Sequence, residues 1–221
     1  MPLNIKTEGT CDFLSIVKYD ARAGRMIRVD RTQGTNGWET DELDITDDFT
    51  VVFDFDNAEE GHLAFINGRP DFVMVLVGEA FPDQPSEGHR HAFRIPIYSK
   101  KLLGGLREFS HTAVTVTGVF KALCDTWETA PESRNGKVAV VRLAGTTAKK
   151  INVPGGGQST VYVPGLVIEK WIDRPDALGP VRPRNGVKAG SKPEAATKPD
   201  NEATKPAPAT DDVADDDAPE F

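Results

Sequence analysis

The sequence is poor in cysteine and lacks long apolar runs. Its 221 residues include only Cys11 and Cys124, which are too few and too far apart for a disulfide framework or a cysteine-based metal cluster. No apolar run approaches the roughly 20 residues of a membrane-spanning helix, and the N-terminus lacks the pattern of a signal peptide. We therefore expect a cytoplasmic protein with no membrane partner.

The motifs of common enzymes are also missing. Gly155-Gly156-Gly157 is not followed by the Lys-Ser/Thr pair of a phosphate-binding loop, and we predict a hairpin loop there. No Gly-x-Ser-x-Gly elbow or Cys–His pair indicates a nucleophile. His89 and His91 are two residues apart, but two ligands do not make a zinc site. We predict no catalytic residue, no metal site, no cofactor and no enzymatic activity.

Positive charge is not in excess either. The chain has 26 basic and 34 acidic residues and a net charge of −8. The last twelve residues contain six of the acids and no basic residue, so the rest of the chain is close to neutral. The charge therefore argues mildly against tight nucleic-acid binding, although a local basic stripe can still bind phosphates.

The C-terminal part has a composition of its own. From Gly179 onward the chain turns to Pro, Ala, Lys, Thr and Asp, and Thr-Lys-Pro recurs at 197–199 and 204–206. Residues 210–221 combine many acids with a single aromatic residue, which is typical of a disordered segment. We predict three parts: a folded domain over 1–178, a disordered linker over 179–209 and an acidic tail over 210–221.

The last seven residues, Asp215-Asp216-Asp217-Ala218-Pro219-Glu220-Phe221, resemble the C-terminal tip of single-stranded DNA-binding proteins of bacteria and phages. The resemblance implies an oligonucleotide-binding (OB) fold and a tail that competes with DNA for the binding groove. It also implies that Asp215, Asp216, Asp217 and Phe221 dock proteins of DNA replication, recombination or repair. Glu220 interrupts the apolar residue and proline that precede the Phe in bacteria, which favours a phage-type protein with partners of its own.

Most of residues 13–172 carry the alternation and β-branched residues of strands. The Asn67-Gly68 dipeptide predicts a hairpin turn, and Pro96 predicts that its strand lies at a sheet edge. The predicted strands are Phe13–Tyr19, Met26–Val29, Phe49–Phe55, Gly61–Ile66, Phe72–Val77, Ala92–Tyr98, Lys137–Leu143, Thr160–Val163 and Val167–Ile172.

One segment has helical spacing instead. Gly118–Thr129 places its large apolar residues on one helical face, and its start is left open because Ala113–Thr117 favours strand locally. We therefore predict a mainly β protein, an OB-like barrel with insertions and one helix, followed by the disordered acidic tail. A β-sandwich decorated by a helix fits the same pattern.

A sequence-tolerant single-strand binder needs cations along the phosphates and flat side chains on which bases stack. Two segments, 18–38 and 89–101, supply both. Arg28 and Asp30 share a strand face opposite Ile27 and Val29, so we expect Arg28 to point to solvent or a groove. The predicted nucleic-acid-binding residues are Lys18, Tyr19, Arg22, Arg25, Arg28, Trp38, Arg94, Tyr98, Lys100 and Lys101.

The function predicted from these features is sequence-independent binding of single-stranded DNA, with the tail recruiting partner proteins. Two alternatives remain open. One is a phage structural or assembly protein with a solubilising tail, and the other is a metal-dependent nuclease in which Asp54 and Asp56 hold Mg²⁺. An exposed strand face that merely carries arginines explains the cations equally well. The sequence leaves open whether the chain forms a homo-oligomer.

Overall fold

A computed structural model of the chain describes residues 15–35, 37–152 and 156–184. The strands in these ranges belong to one sheet. They are β1 Ile16–Asp20, β2 Arg25–Gly34, β3 Gly37–Asp44, β4 Thr50–Phe53, β5 Glu59–Ile66, β6 Arg69–Leu76, β7 Arg90–Ser99, β8 Gly105–His111, β9 Lys137–Asn152 and β10 Gln158–Asp173. Between β8 and β9 the chain forms the α-helices α1 Val114–Thr129 and α2 Pro131–Arg134, and 3₁₀ turns cover Phe55–Asn57 and Asp176–Leu178.

The sheet follows the order β10-β9-β4-β7-β8-β1-β2-β3, and β5 and β6 branch from β7. Neighbouring strands are antiparallel except β1 and β8, which are parallel. The prediction of a mainly β fold with one long helix is confirmed. β3 and β8 were not predicted, and β9 and β10 are each 16 residues long, well beyond their predicted lengths.

The sheet curls until β10 meets the turn between β1 and β2. The backbone N–H of Tyr162 donates to the carbonyl oxygen of Ala21 at 2.7 Å, and the hydroxyl of Tyr19 donates to the carbonyl of Tyr162 at 2.9 Å. Gly24 has a φ of +70°, and a Cβ there would lie 3.1 Å from the Cβ of Tyr162. Glycine therefore meets both the backbone and the packing requirement at this contact. The sheet is barrel-like but not closed, since β10 and β3 end its path.

Aromatic side chains fill the core between the sheet and α1. Phe49, Val51, Phe53 and Phe55 are all buried, as their alternation predicts. The Phe93 ring stacks on Phe120 of α1, with centroids 4.0 Å apart and planes 9° apart. α1 begins at Val114, so the local strand preference of 113–117 is overridden by burial of Val116 against this core.

Pro96 does not mark a sheet edge. β7 pairs with β4 and β5 on one side and with β8 on the other, so that prediction is wrong. The N–H of Asp54 donates to the carbonyl of Pro96 at 3.0 Å, at the point where β4 has ended and the 3₁₀ turn Phe55–Asn57 takes over. The N and O of a strand residue point to the same side. The missing N–H of Pro96 therefore faces the 3₁₀ turn and not a paired strand, so the sheet loses at most one backbone hydrogen bond there.

A buried ion pair fastens the end of β10 to the middle of the sheet. Asp54 is 0 % exposed, and the guanidinium of Arg174 donates a hydrogen bond to each of its carboxylate oxygens, at 2.8 and 2.6 Å. The side-chain amide of Asn57 donates to the same carboxylate at 2.8 Å. Such a bidentate, hydrogen-bonded geometry is what a buried charge needs to offset its desolvation.

The folded part continues past the predicted boundary at residue 178. The backbone N–H of Arg182 donates to Asn57 Oδ1 at 2.8 Å, and its guanidinium donates to Glu59 Oε1 at 2.7 Å. Asn57 Nδ2 in turn donates to the carbonyl of Pro180 at 3.2 Å. Residues 180 and 182, which fall in the predicted linker, thus contact the folded part, and the predicted linker beyond 184 and the whole acidic tail lie outside the described residues.

We predict that Arg174→Ala lowers the free energy of unfolding by about 3–5 kcal/mol, because it leaves the Asp54 carboxylate buried without its counter-charge. Urea denaturation at neutral pH measures the loss. Arg142→Ala is the matched control, since its ion pair with Glu169 spans 3.8 Å between half-exposed side chains and should contribute less than about 1 kcal/mol. Equal losses in the two variants would contradict a structural role for the Asp54 pair.

Candidate nucleic-acid interface

Two of the predicted cations form exposed ion pairs. Lys18 Nζ lies 2.6 Å from a carboxylate oxygen of Glu42, and a guanidinium nitrogen of Arg25 lies 3.5 Å from Asp44. Both pairs join the first hairpin to the acidic strand β3. Solvated pairs of this kind contribute little to stability, so a phosphate can replace the carboxylate at small cost. A phosphate would therefore have to compete with the carboxylates of β3 for Lys18 and Arg25.

Arg28, which we predicted to point to solvent or a groove, belongs to a half-buried polar cluster. Its Nε donates to Asp30 at 2.9 Å, and its Nη1 donates to the carbonyl of Leu102 at 2.9 Å. Arg107 donates to the other oxygen of Asp30 and to the carbonyl of Val29. Burial raises the pKa of Asp30, but the bonds from the two arginines outweigh this and hold it below its usual range. The cluster ties β2 to the turn between β7 and β8.

Arg94 is likewise occupied inside the fold. Its Nε donates to Glu108 at 2.6 Å, a second nitrogen lies 3.6 Å from Glu59, and the guanidinium sits 5.0 Å from the centroid of the Phe72 ring. Two carboxylates and one ring face therefore hold this cation in place. Arg94 serves the packing of β5, β7 and β8.

The three residues predicted to stack on bases lie in different places in the fold. Tyr19 is 4 % exposed and lies in the core, so its ring offers no platform for a base. Tyr98 is half-buried and packs against the small cluster of Val52, Val138, Val140 and Leu178. Trp38 lies on β3 opposite Gln33, and its side chain is outside the described part of the chain.

Arg22, Lys100 and Lys101 are exposed, and none of them has a carboxylate within ion-pair distance among the described residues. Lys100 and Lys101 lie in the β7–β8 turn, next to the carbonyl of Leu102 that Arg28 binds. The structure thus brings the two basic segments of the sequence together at this turn. Arg22 lies in the β1–β2 turn, where the Asp20 carboxylate accepts its backbone N–H at 2.8 Å.

The structure adds two cations that sequence reasoning missed, Lys149 and Lys150 on the β9–β10 hairpin. β4 covers β9 only as far as Arg142, so beyond Leu143 the hairpin is a two-stranded ribbon with mostly exposed side chains. Neither lysine has an acidic partner among the residues that the structure describes. The Lys-Lys pair just before a Gly-rich loop was the available sequence signal, but the predicted strand ended at Leu143.

The half-buried Tyr162 connects this ribbon to the β1–β2 turn. Tyr162 pairs with Ala148, and Lys150 lies two residues further along β9, on the same face. Tyr162 also contacts Ala21 and Gly24, which lie on either side of Arg22 in the turn. We call Arg22, Lys149, Lys150 and Tyr162 the hairpin surface, in which Lys149 lies on the opposite face of the ribbon from Lys150 and Tyr162. It combines one flat ring with cations that have no acidic partner among the described residues.

Three of the four histidines, His62, His89 and His91, lie near one another and are held by neighbouring side chains. His62 is buried and meets His91 and Phe81 edge to face, with centroids 4.9 and 5.1 Å away. His89 Nδ1 lies 2.9 Å from the Ser86 hydroxyl, and its Nε2 lies 3.2 Å from Asp71. Across the described ranges, no three His, Cys, Asp or Glu side chains form a group that could hold a metal ion.

Asp54 and Asp56, the carboxylates of the nuclease alternative, both lie against Arg174. Both oxygens of Asp54 accept from Arg174, and Asp56 lies 3.4 Å from the same guanidinium. Burial and the neighbouring Asp54 raise the pKa of Asp56. An arginine thus occupies the position between the carboxylates that a divalent cation would need.

No protein-family model, curated protein or solved structure shows a significant match to this chain. Among the helices of the described residues, none is long and apolar enough to cross a membrane.

We predict that the stability of the protein falls as the pH drops below about 6.5, partly through His62. Burial, and then the nearby His91 and His89, lower the pKa of His62, and its Nδ1 has no hydrogen-bond partner among the described residues. Because the unfolded chain binds this proton more readily, acid favours unfolding.

His62→Phe keeps an aromatic ring at this position and removes the titration. Denaturant midpoints at about pH 7.5 and about pH 5 should therefore differ less in the variant than in the wild type. Because each protein is compared with itself at the two pH values, a packing change in the variant affects both midpoints and cancels from their difference. An unchanged difference would show that His62 does not contribute to acid sensitivity.

Proposed function

We propose that the chain binds single-stranded DNA without sequence preference. The hairpin surface is the observation that carries this proposal. Its three cations lack acidic partners in the described part of the chain, whereas Lys18, Arg25, Arg28 and Arg94 all have them. Its exposed ribbon can be approached from either face by an extended strand.

Two physical terms support binding at this surface. Lys149, Lys150 and Arg22 would release counterions from the phosphates that they contact, which makes binding favourable at low salt. The ring of Tyr162 would supply stacking, which every base accepts because every base has a π-face. Trp38, on the β2–β3 hairpin at the other end of β2, would supply a second platform. Lys100 and Lys101 would extend the phosphate path from the β7–β8 turn.

The acidic tail, residues 210–221, completes the proposal. With Asp215, Asp216, Asp217 and Phe221 at its end, it would dock proteins of phage or bacterial replication, recombination or repair. Its resemblance to the tips of single-stranded DNA-binding proteins supports this role. Six of the 34 acids lie in this tail, so the rest of the chain, with 26 basic and 28 acidic residues, is close to neutral and a local group of cations can still attract phosphates.

The alternatives differ in what they require. A nuclease using Asp54 and Asp56 would have to displace Arg174 from a buried carboxylate, so we do not propose it. An assembly protein with a solubilising tail would ignore DNA, and a direct binding experiment separates it from the present proposal.

We expect oligo-dT to quench the tryptophan fluorescence of the full chain strongly, with a steep salt dependence, and an equally long duplex to have little effect. Trp127 is buried and Trp171 packs against the core, so Trp38→Phe should remove most of the signal while leaving binding measurable by anisotropy of labelled DNA. No binding at low salt, even by a chain truncated after Ala209, would leave the assembly protein as the better explanation.

We also expect the double variant Lys149→Gln/Lys150→Gln to bind oligo-dT more weakly and with a shallower salt dependence. Each lost phosphate contact should reduce the slope of log K against log salt by about 0.7. The matched control is Lys121→Gln/Lys137→Gln, which removes two lysines that lie on α1 and at the far end of β9. Equal slopes for both double variants would place the binding surface elsewhere.

A further inference from the structure

β6 has one open edge, and its hydrogen-bonding groups can be assigned from its register. Within the described ranges, β6 pairs only with β5. Asn67 and Gly68 both have positive φ and form a two-residue turn that makes Ile66 and Arg69 the first hydrogen-bonded pair. The odd-numbered residues of β6 therefore direct their N–H and C=O groups to β5, and the even-numbered ones direct theirs outward.

At each end of this edge, the outward N–H group is either missing or already hydrogen-bonded. Pro70 faces outward and has no N–H to donate. At the other end, the Leu76 N–H donates to the Glu79 carboxylate at 3.3 Å, and the Leu76 carbonyl accepts the Glu79 N–H at 3.0 Å. Only Phe72 and Met74 keep both an N–H and a C=O group directed away from β5, and Pro70 adds one further carbonyl.

We propose that a second copy of this chain occupies the edge, with the two β6 strands antiparallel and the twofold axis at Val73. Phe72 of each copy then faces Met74 of the other, and the four resulting hydrogen bonds use all the outward N–H and C=O groups of these two residues. The same register places Pro70 opposite Leu76. These are the two residues without a free donor, so no donor is left buried and unpaired.

The self-complementarity of this register favours a second copy over an unrelated strand. Centring the axis on Phe72 would pair Met74 with Pro70, and centring it on Met74 would pair Phe72 with Leu76. The first register leaves the Met74 carbonyl without a donor, because Pro70 has no N–H, and the second leaves Phe72 facing groups of Leu76 that already bond Glu79. Only the axis at Val73 pairs every outward group of Phe72 and Met74, and it follows from the chain's own sequence.

The side chains fit the same register. Phe72 and Met74 of opposite copies are cross-strand neighbours, a pairing of thioether and ring that is favourable at such contacts. Arg69, beside Pro70, approaches the end of the opposite β6 where the Glu79 carboxylate lies, so opposite charges meet at both ends of the contact. Phe65 and Ile66, 71 % and 49 % exposed at the hairpin tip, extend the apolar surface.

Cysteine crosslinking tests the register directly. In a Cys11→Ser background, Val73→Cys places two thiols opposite each other at a non-hydrogen-bonded position, where the Cα separation of about 4.5 Å suits a disulfide. Cys124 should not interfere, because burial raises its pKa to about 12. Val75→Cys is the matched control, since it faces Asp71 of the other copy in this register.

We expect mild oxidation to convert Val73→Cys to a covalent dimer many times faster than Val75→Cys, and the wild type to sediment at twice its 24.0 kDa chain mass as concentration rises. Met74→Pro removes an outward N–H that the monomer does not use and should sediment as a monomer with an unchanged circular dichroism spectrum. If that variant misfolds, the crosslinking comparison still decides. A wild-type monomer at all concentrations, or equal crosslinking of the two cysteine variants, overturns the proposal.

Discussion

The Asp54–Arg174 ion pair is the interaction on which the arrangement of the sheet depends. Asp54 stands where β4 ends, and its backbone N–H bonds to β7 while its buried carboxylate binds the residue that follows β10. One residue thus links the central strand, its neighbour and the C-terminal end of the sheet. Asn57 and Glu59, a few residues later, hold Arg182 in turn. The polar side chains of this segment therefore support the fold and hold the chain as far as Arg182.

The distribution of charge matters more here than its sum. Most cations in the middle of the sheet are balanced by nearby carboxylates, as Arg28, Arg94 and Arg107 show. Arg22, Lys100, Lys101, Lys149 and Lys150, which have no such partners in the described part of the chain, lie in turns and on the protruding ribbon. A chain with a net charge of −8 can therefore present a positive surface locally, because charges separated by more than a Debye length are largely screened from one another.

Local signals in the sequence predicted local structure well. The alternation from Phe49 to Phe55, the Asn67-Gly68 turn and the helical spacing after Gly118 each depend on neighbouring residues, and the structure contains all three features. The site was harder to predict. From the sequence, Arg94 looks like a surface arginine, but in the fold β5 and β8 bring carboxylates to it. Tyr19 looks like a platform for base stacking, but the curled sheet buries its ring. Such contacts join residues far apart in sequence, and no local period encodes them. β3 was missed because its many acids hide the strand alternation.

The position of β4 has a consequence for synthesis of the protein. This four-residue strand lies between β7 and β9, and both of its partners follow it in the chain. As the polypeptide emerges from the ribosome, Val51, Val52 and Phe53 must wait for β7 and then, beyond α1, for β9 before both edges of the strand are paired. During that interval a strand that is buried in the finished sheet is an exposed apolar segment, which is the kind of segment that chaperones protect and that misassembles when left uncovered.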